Sequence, residues 1–208
     1  MIPIDSLITF LIAAVLLSLA PGPDNVFVLT QSALYGRISG LLVTLGLCTG
    51  LLVHTAAVAL GIAVIFQTSA VAFTVLKLVG AGYLLYLAWL AWRAAPASFS
   101  DVTSTTRSYG ALYRRGIYMN ITNPKVSIFF LAFLPQFASP DRGSVVIQMM
   151  ILGALFICAT LVVFAAIAVL AGTLGERLSR SETAQRNLNR VASVVFGALA
   201  IKLLSTQQ

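Results

Sequence analysis

Charge is scarce in this chain. Only 9% of its 208 residues are Asp, Glu, Lys or Arg, and 59% are hydrophobic. A soluble domain carries about 25% charged residues. With a mean hydropathy of +0.97, the chain cannot cover itself with polar surface. That excludes a soluble globule and predicts an all-α integral membrane protein. Histidine occurs once, as His54, and cysteine twice, as Cys48 and Cys158. With so few carboxylates beside them, they make a poor ligand set for a metal ion. Both cysteines lie in long apolar segments, where they are expected to pack as small apolar side chains. No motif for a nucleotide, nucleic acid or metal appears, so no cofactor is expected. Acidic residues are fewer still: six Asp and Glu against thirteen Lys and Arg, a net charge of +7. In a membrane protein that excess marks cytoplasmic loops rather than a nucleic-acid partner.

What is present is a series of apolar runs. A transmembrane helix needs about 20 such residues. Six candidate spans emerge, at about 4–30, 40–66, 70–92, 116–137, 145–172 and 189–205. The N-terminus has neither the basic region nor the small-residue cleavage site of a secretory signal, so it is expected to remain as the first span. The longest polar stretch, 93–115, carries Pro96, many Ser and Thr, and four arginines, and reads as a linker. Six spans place Arg37, Arg93, Arg107, Arg114, Arg115, Arg177, Arg180, Arg186 and Arg190 on one side. Arg142 and Lys202 fall on the other, and Lys77 within the third span. The positive-inside rule then puts both termini outside the cytoplasm.

The two halves resemble each other. "LGLCTGLLVHTAAVAL" (45–60) aligns without a gap on "LFICATLVVFAAIAVL" (155–170), Cys48 on Cys158. "GPDNVFVL" (22–29) lies over "NPKVSIFF" (123–130), proline on proline. Three spans per unit force the second unit to enter from the opposite face. The expected organisation is an inverted 3+3 repeat, residues 1–106 and 107–208, as in many secondary transporters.

Two spans contain residues hostile to a helix. The first holds Pro21, Gly22, Pro23, Asp24 and Asn25; the fourth holds Asn120, Asn123, Pro124 and Lys125. Proline removes a backbone donor and pushes the preceding residue out of the helical region. It also suits the first position of a new helix, as Asn suits the cap. So Pro23 and Pro124 are each expected to start a second helix, with Gly22 giving a sharp local turn. Both units then present a helix N-terminus within the membrane, where free N–H groups favour a carboxylate. Asp24 and Lys125 are the charges at these breaks. Ionisable groups at such depth are costly and mark transport sites or buried pairs. Either they pair with each other, or each pairs with one end of a zwitterion.

"PGPD" in the first span and "NITNPK" (120–125) in the fourth resemble the LysE/RhtB amino acid exporters of bacterial inner membranes. "LKLVGAGYLLYLAWLAWR" (76–93) and "FLPQF" (133–137) extend the resemblance over nearly the whole chain. It implies export of amino acids or derivatives by proton antiport. "TGLLVHTA", with His54, resembles the branch that exports homoserine, homoserine lactone and threonine. That branch often has no acidic residue where Asp24 stands. The expected site is therefore Pro21, Gly22, Pro23, Asp24, Asn25, Asn120, Asn123, Pro124 and Lys125, with Asp24 and His54 coupling protons. The partners are amino acid, protons and lipid; a homo-oligomer is compatible, and no catalytic residue is expected. His54 otherwise reads as a neutral, hydrogen-bonded interior residue. The alternative functions are a membrane dithiol passing electrons through Cys48 and Cys158, or a metal-ion exporter. "GRISG" (36–40) and "GLCTG" (46–50) match the small-xxx-small spacing of packed membrane helices.

Overall fold

The computed structural model describes residues 2–20, 22–68, 70–94, 108–171 and 182–205. Pro21, residues 95–107 of the expected linker, and Arg177 and Arg180 lie outside them. The described residues hold helices and short 3-10 turns and no strand: α1 (Ile4–Leu19), α2 (Pro23–Tyr35), α3 (Arg37–Thr68), α4 (Ala70–Arg93), α5 (Tyr109–Ile121), α6 (Pro124–Ala132), α7 (Val145–Leu170) and α8 (Glu182–Ser205). The region Arg37–Gly61 of α3, and α7, are each long and apolar enough to cross a membrane. The pairs α1–α2 and α5–α6 pass the same test as bent units, giving up to four spans by length and composition. Helices α4 and α8 have 24 residues each, or roughly 36 Å at 1.5 Å per residue.

Both bends follow from X-Pro chemistry. Ala20 ends α1 in an extended conformation (φ −60°, ψ 128°), the region forced on a residue before proline. Gly22 is extended (φ −174°, ψ 173°), and Pro23 takes the first helical position of α2. The axes of α1 and α2 differ by 60°. At the second bend, Asn123 is extended (φ −78°, ψ 107°) before Pro124, and the bend is 51°. Gly22 therefore makes no turn that only glycine can make. What it gives is room: a Cβ there would stand 3.1 Å from Lys125 Nζ.

The expected linker ran to residue 115, but α5 begins at Tyr109. Arg114 and Arg115 are exposed, while Leu112 and Gly116 are buried. The arginines are one face of a helix that the other face docks on α3. There Gly46 and Gly116 bring two backbones together. A Cβ at Gly46 would overlap Tyr113 O and lie 3.0 Å from Gly116 Cα. One turn on, a Cβ at Gly50 would lie 2.7 Å from Asn120 Oδ1. "GLCTG" is thus a seam for α5. "GRISG" is not a seam: Gly36 lies outside the helices at φ +83°, where α2 ends, and only Gly40 packs, on Ser32 and Ala168.

The contacts run mostly between the two halves of the chain. α3 packs on α5 and α7 on α1 and α2; α4 packs on α6 and α8 on α1; α3 meets α7 and α4 meets α8. Large apolar side chains such as Leu52, Leu60, Val79, Ile147, Val162 and Val194 face outward. Asp24, Asn120, Asn123, Lys125, Gln31 and Thr160 are buried. Apolar exterior with polar groups inside is the arrangement a bilayer demands. Phe10, Phe129, Phe130, Phe133 and Phe156 form a buried cluster beside the bends. Near the end of α4, Tyr83, Tyr86 and Trp89 form a ring ladder at 6.0 and 6.2 Å, with Arg93 4.9 Å over Trp89.

Candidate functional site

The two bends meet. Asp24, in the first turn of α2, is 3% exposed, and Asn123, the cap of α6, is 3% exposed. Asn123 does two things at once. Its Oδ1 accepts from Lys125 N at 3.0 Å, satisfying an orphan donor of α6. Its Nδ2 donates to Asp24 Oδ2 at 2.9 Å. One amide thus joins the N-termini of two half-helices around a single carboxylate, and both helix dipoles favour that anion.

Lys125 turns the other way. Its Nζ donates to Ala20 O at 3.0 Å and to Leu17 O at 3.4 Å. These carbonyls belong to the last turn and the C-cap of α1. The residue four beyond Leu17 is Pro21, which has no N–H to give. A cation at a helix C-terminus also complements the dipole. Lys125 therefore caps α1 from the other half of the chain, and no Asp24–Lys125 ion pair is found among the described contacts. His54 plays the reciprocal part. Its Nε2 lies 3.1 Å from Asn120 O, the end of α5. A carbonyl only accepts, so Nε2 carries the hydrogen. His54 also lies 5.7 Å from the Phe130 ring.

Some of the cluster is left open. Asp24 Oδ1, Asn25 Oδ1 and Asn120 Oδ1 are buried and find no partner among the described residues. The Asn120 side chain lies beside the Asp24 carboxylate. Buried acceptors without donors are costly, and such a set suits an N–H-rich cation. The structure thus gathers Gly22, Pro23, Asp24, Asn25, Asn120, Asn123, Pro124 and Lys125 at the meeting of the two bends; Pro21 is outside the described residues.

Sequence reasoning missed Ser18 and Thr160, whose hydroxyls lie 3.1 Å apart and tie α1 to α7. It also missed the bond from Asn25 Nδ2 to Ser18 O at 2.6 Å. The alignment of the two halves of the sequence held a signal: Thr160 falls on Gly50, which packs against Asn120. Cys48 is buried, Cys158 is exposed, and both are free thiols. No group of three or more His, Cys, Asp or Glu side chains that could hold a metal occurs among the described residues.

The chain matches the family described as LysE type translocator over residues 15–207. It belongs to the LysE type translocators. They are transporters, not enzymes. This translocator is 33% identical over 198 residues, 95% of both chains, to a protein of Salmonella typhimurium (strain LT2) named homoserine/homoserine lactone efflux protein. It is 34% identical over 189 residues, 91% of both chains, to an uncharacterized membrane protein of Vibrio cholerae serotype O1. It is 32% identical over 139 residues, 65% of this chain and 66% of the other, to a leucine efflux protein of Salmonella choleraesuis (strain SC-B67). No solved structure matches it.

Proposed function

We propose that this translocator exports amino acids or close derivatives, of the homoserine, homoserine lactone or threonine type, from the cytoplasm across a bacterial inner membrane. The observation that carries the reading is the buried, incompletely satisfied cluster at the two bends. The unpartnered Oδ1 atoms of Asp24 and Asn120 accept the substrate ammonium, which brings three N–H donors. The substrate carboxylate competes with the carbonyls of Leu17 and Ala20 for Lys125. Loading the site then draws Lys125 off the end of α1 and loosens the first bend. Asp24 carries the exchanged proton, and His54, beside Asn120, relays it. The relatives named for homoserine, homoserine lactone and leucine efflux support an amino acid cargo.

Transport runs by alternating access of an inverted repeat of six spans, with both termini outside. The matched packing of the two halves supports that plan: α3 on α5 against α7 on α1, and α3 on α6 against α7 on α2. The test is a tolerance screen. Cells overproducing the protein are challenged with toxic levels of single amino acids and lactones. New tolerance to one of these is expected, with loss in Asp24→Asn of export driven by a pH gradient. Tolerance to cadmium alone would overturn the cargo; full pH-driven export by Asp24→Asn would overturn the proton carrier.

A further inference from the structure

A second polar feature stands away from the bends. A cavity of about 240 Å³ opens where the start of α1, the segment after α6 and the end of α8 come together. Pockets for drug-sized ligands measure roughly 300–1,000 Å³, so this volume suits a smaller molecule. Its lining carries one anion, Asp5, and one cation, Lys202. Thr9 and Gln136 add neutral polar groups, and Phe133 and Phe137 add an aromatic wall. Lys202 Nζ stands 5.1 Å over the Phe137 ring, which holds the ammonium by its attraction to the ring face. An anion, a cation and an apolar wall in one small cavity complement a zwitterion with a short side chain.

The cavity is linked to the charge cluster by the helices that meet there. From Asp5 to Ala20, α1 runs roughly 22 Å at 1.5 Å per residue. Behind the lining rings of Phe133 and Phe137 lie those of Phe10 and Phe129, packed edge-on or tilted against them. Phe10 lies 5.2 Å from Phe137, Phe133 5.0 Å from Phe137, and Phe129 4.7 Å from Phe133. Phe10, Phe129 and Phe133 are at most 1% exposed. Buried aromatic side chains thus back the cavity on the side that faces the bends.

We propose that this cavity is a second docking site for a zwitterionic amino acid, on the side where both termini lie. It rests on the export reading above, in which that side is the exterior and the cavity holds cargo on its way out. The experiment uses purified protein in nanodiscs and equilibrium dialysis with radiolabelled L-homoserine and L-leucine. In Asp24→Asn protein, which cripples the central site, one binding site remains. Adding Asp5→Asn or Lys202→Gln weakens it at least tenfold. Lys202→Arg restores it, and Asp141→Asn, an exposed carboxylate elsewhere, leaves it unchanged. The N-acetyl and amide derivatives of the same amino acids, each missing one charge, bind at least tenfold more weakly. Absence of binding in Asp24→Asn protein, or binding indifferent to residues 5 and 202, overturns the proposal. Export by the unmodified protein is measured in parallel. Intact export without cavity binding sinks the cavity alone; cavity binding without export sinks the export reading and leaves a zwitterion site.

Discussion

Replacing Asn123 with alanine removes two bonds that one side chain makes, and the structure separates their worth. Loss of the α6 cap alone costs about 0.5–2 kcal/mol. Loss of the donor to Asp24 Oδ2 strands a buried carboxylate oxygen, which costs about 1–3 kcal/mol. Asn123→Ala should therefore destabilise the protein by about 1.5–5 kcal/mol. A capping control is available in Ser144, whose hydroxyl accepts from Ile147 N at the exposed start of α7. Ser144→Ala should stay within the capping range. The Asp24 contribution is isolated by a double-mutant cycle between Asn123→Ala and Asp24→Ala, because the cap survives in the second single variant. A hydrogen bond to a charged group is worth about 1.5–3 kcal/mol, and that is the coupling expected. The assay is reversible unfolding of the purified protein in mixed micelles titrated with SDS. Coupling below about 0.5 kcal/mol would mean that the two half-helix N-termini are not joined through this amide.

Gly46→Ala or Gly116→Ala forces backbone apart rather than a flexible side chain, so each should cost about 1–3 kcal/mol, the range for overpacking, read in the same unfolding assay. Lys125→Met leaves the carbonyls of Leu17 and Ala20 without their donor, at about 1–3 kcal/mol each. Export should be lost with it, and Lys125→Arg should recover part of the stability. Replacing Cys48 and Cys158 together with serine should leave export in the tolerance screen within about twofold of the parent, a ΔΔG of about 0.4 kcal/mol by the tenfold-per-1.4 kcal/mol rule. Loss of export in that double variant would revive a dithiol mechanism.

The sequence shows the bends because their cause is local. A residue before proline leaves the helical region, and proline starts a new helix, whatever surrounds them. The same locality gives the Asn123 cap. Where the cause is distant, the reading stops. "GLCTG" announces a close helix contact but not that Gly116 answers it. Lys125 stands out as a buried charge, yet its targets are backbone carbonyls, which leave no trace in a sequence. The start of α5 is hidden because Arg114 and Arg115 read as loop, whereas they are the exposed face of a helix whose other face carries Leu112 and Gly116. Gly22 suggests a turn by its type; its requirement is set by Lys125, 103 positions later.

The two reciprocal caps arrive at different times during synthesis. His54 has already left the ribosome when the end of α5 is made, so the second bend meets its partner on insertion. Lys125 follows Ala20 by 105 residues. The first bend therefore forms with the Leu17 and Ala20 carbonyls unmatched and stays provisional until the second half is made. A chain released early, before residue 125, would carry an unfinished helix end in lipid, where quality-control proteases have a ready mark of incompleteness.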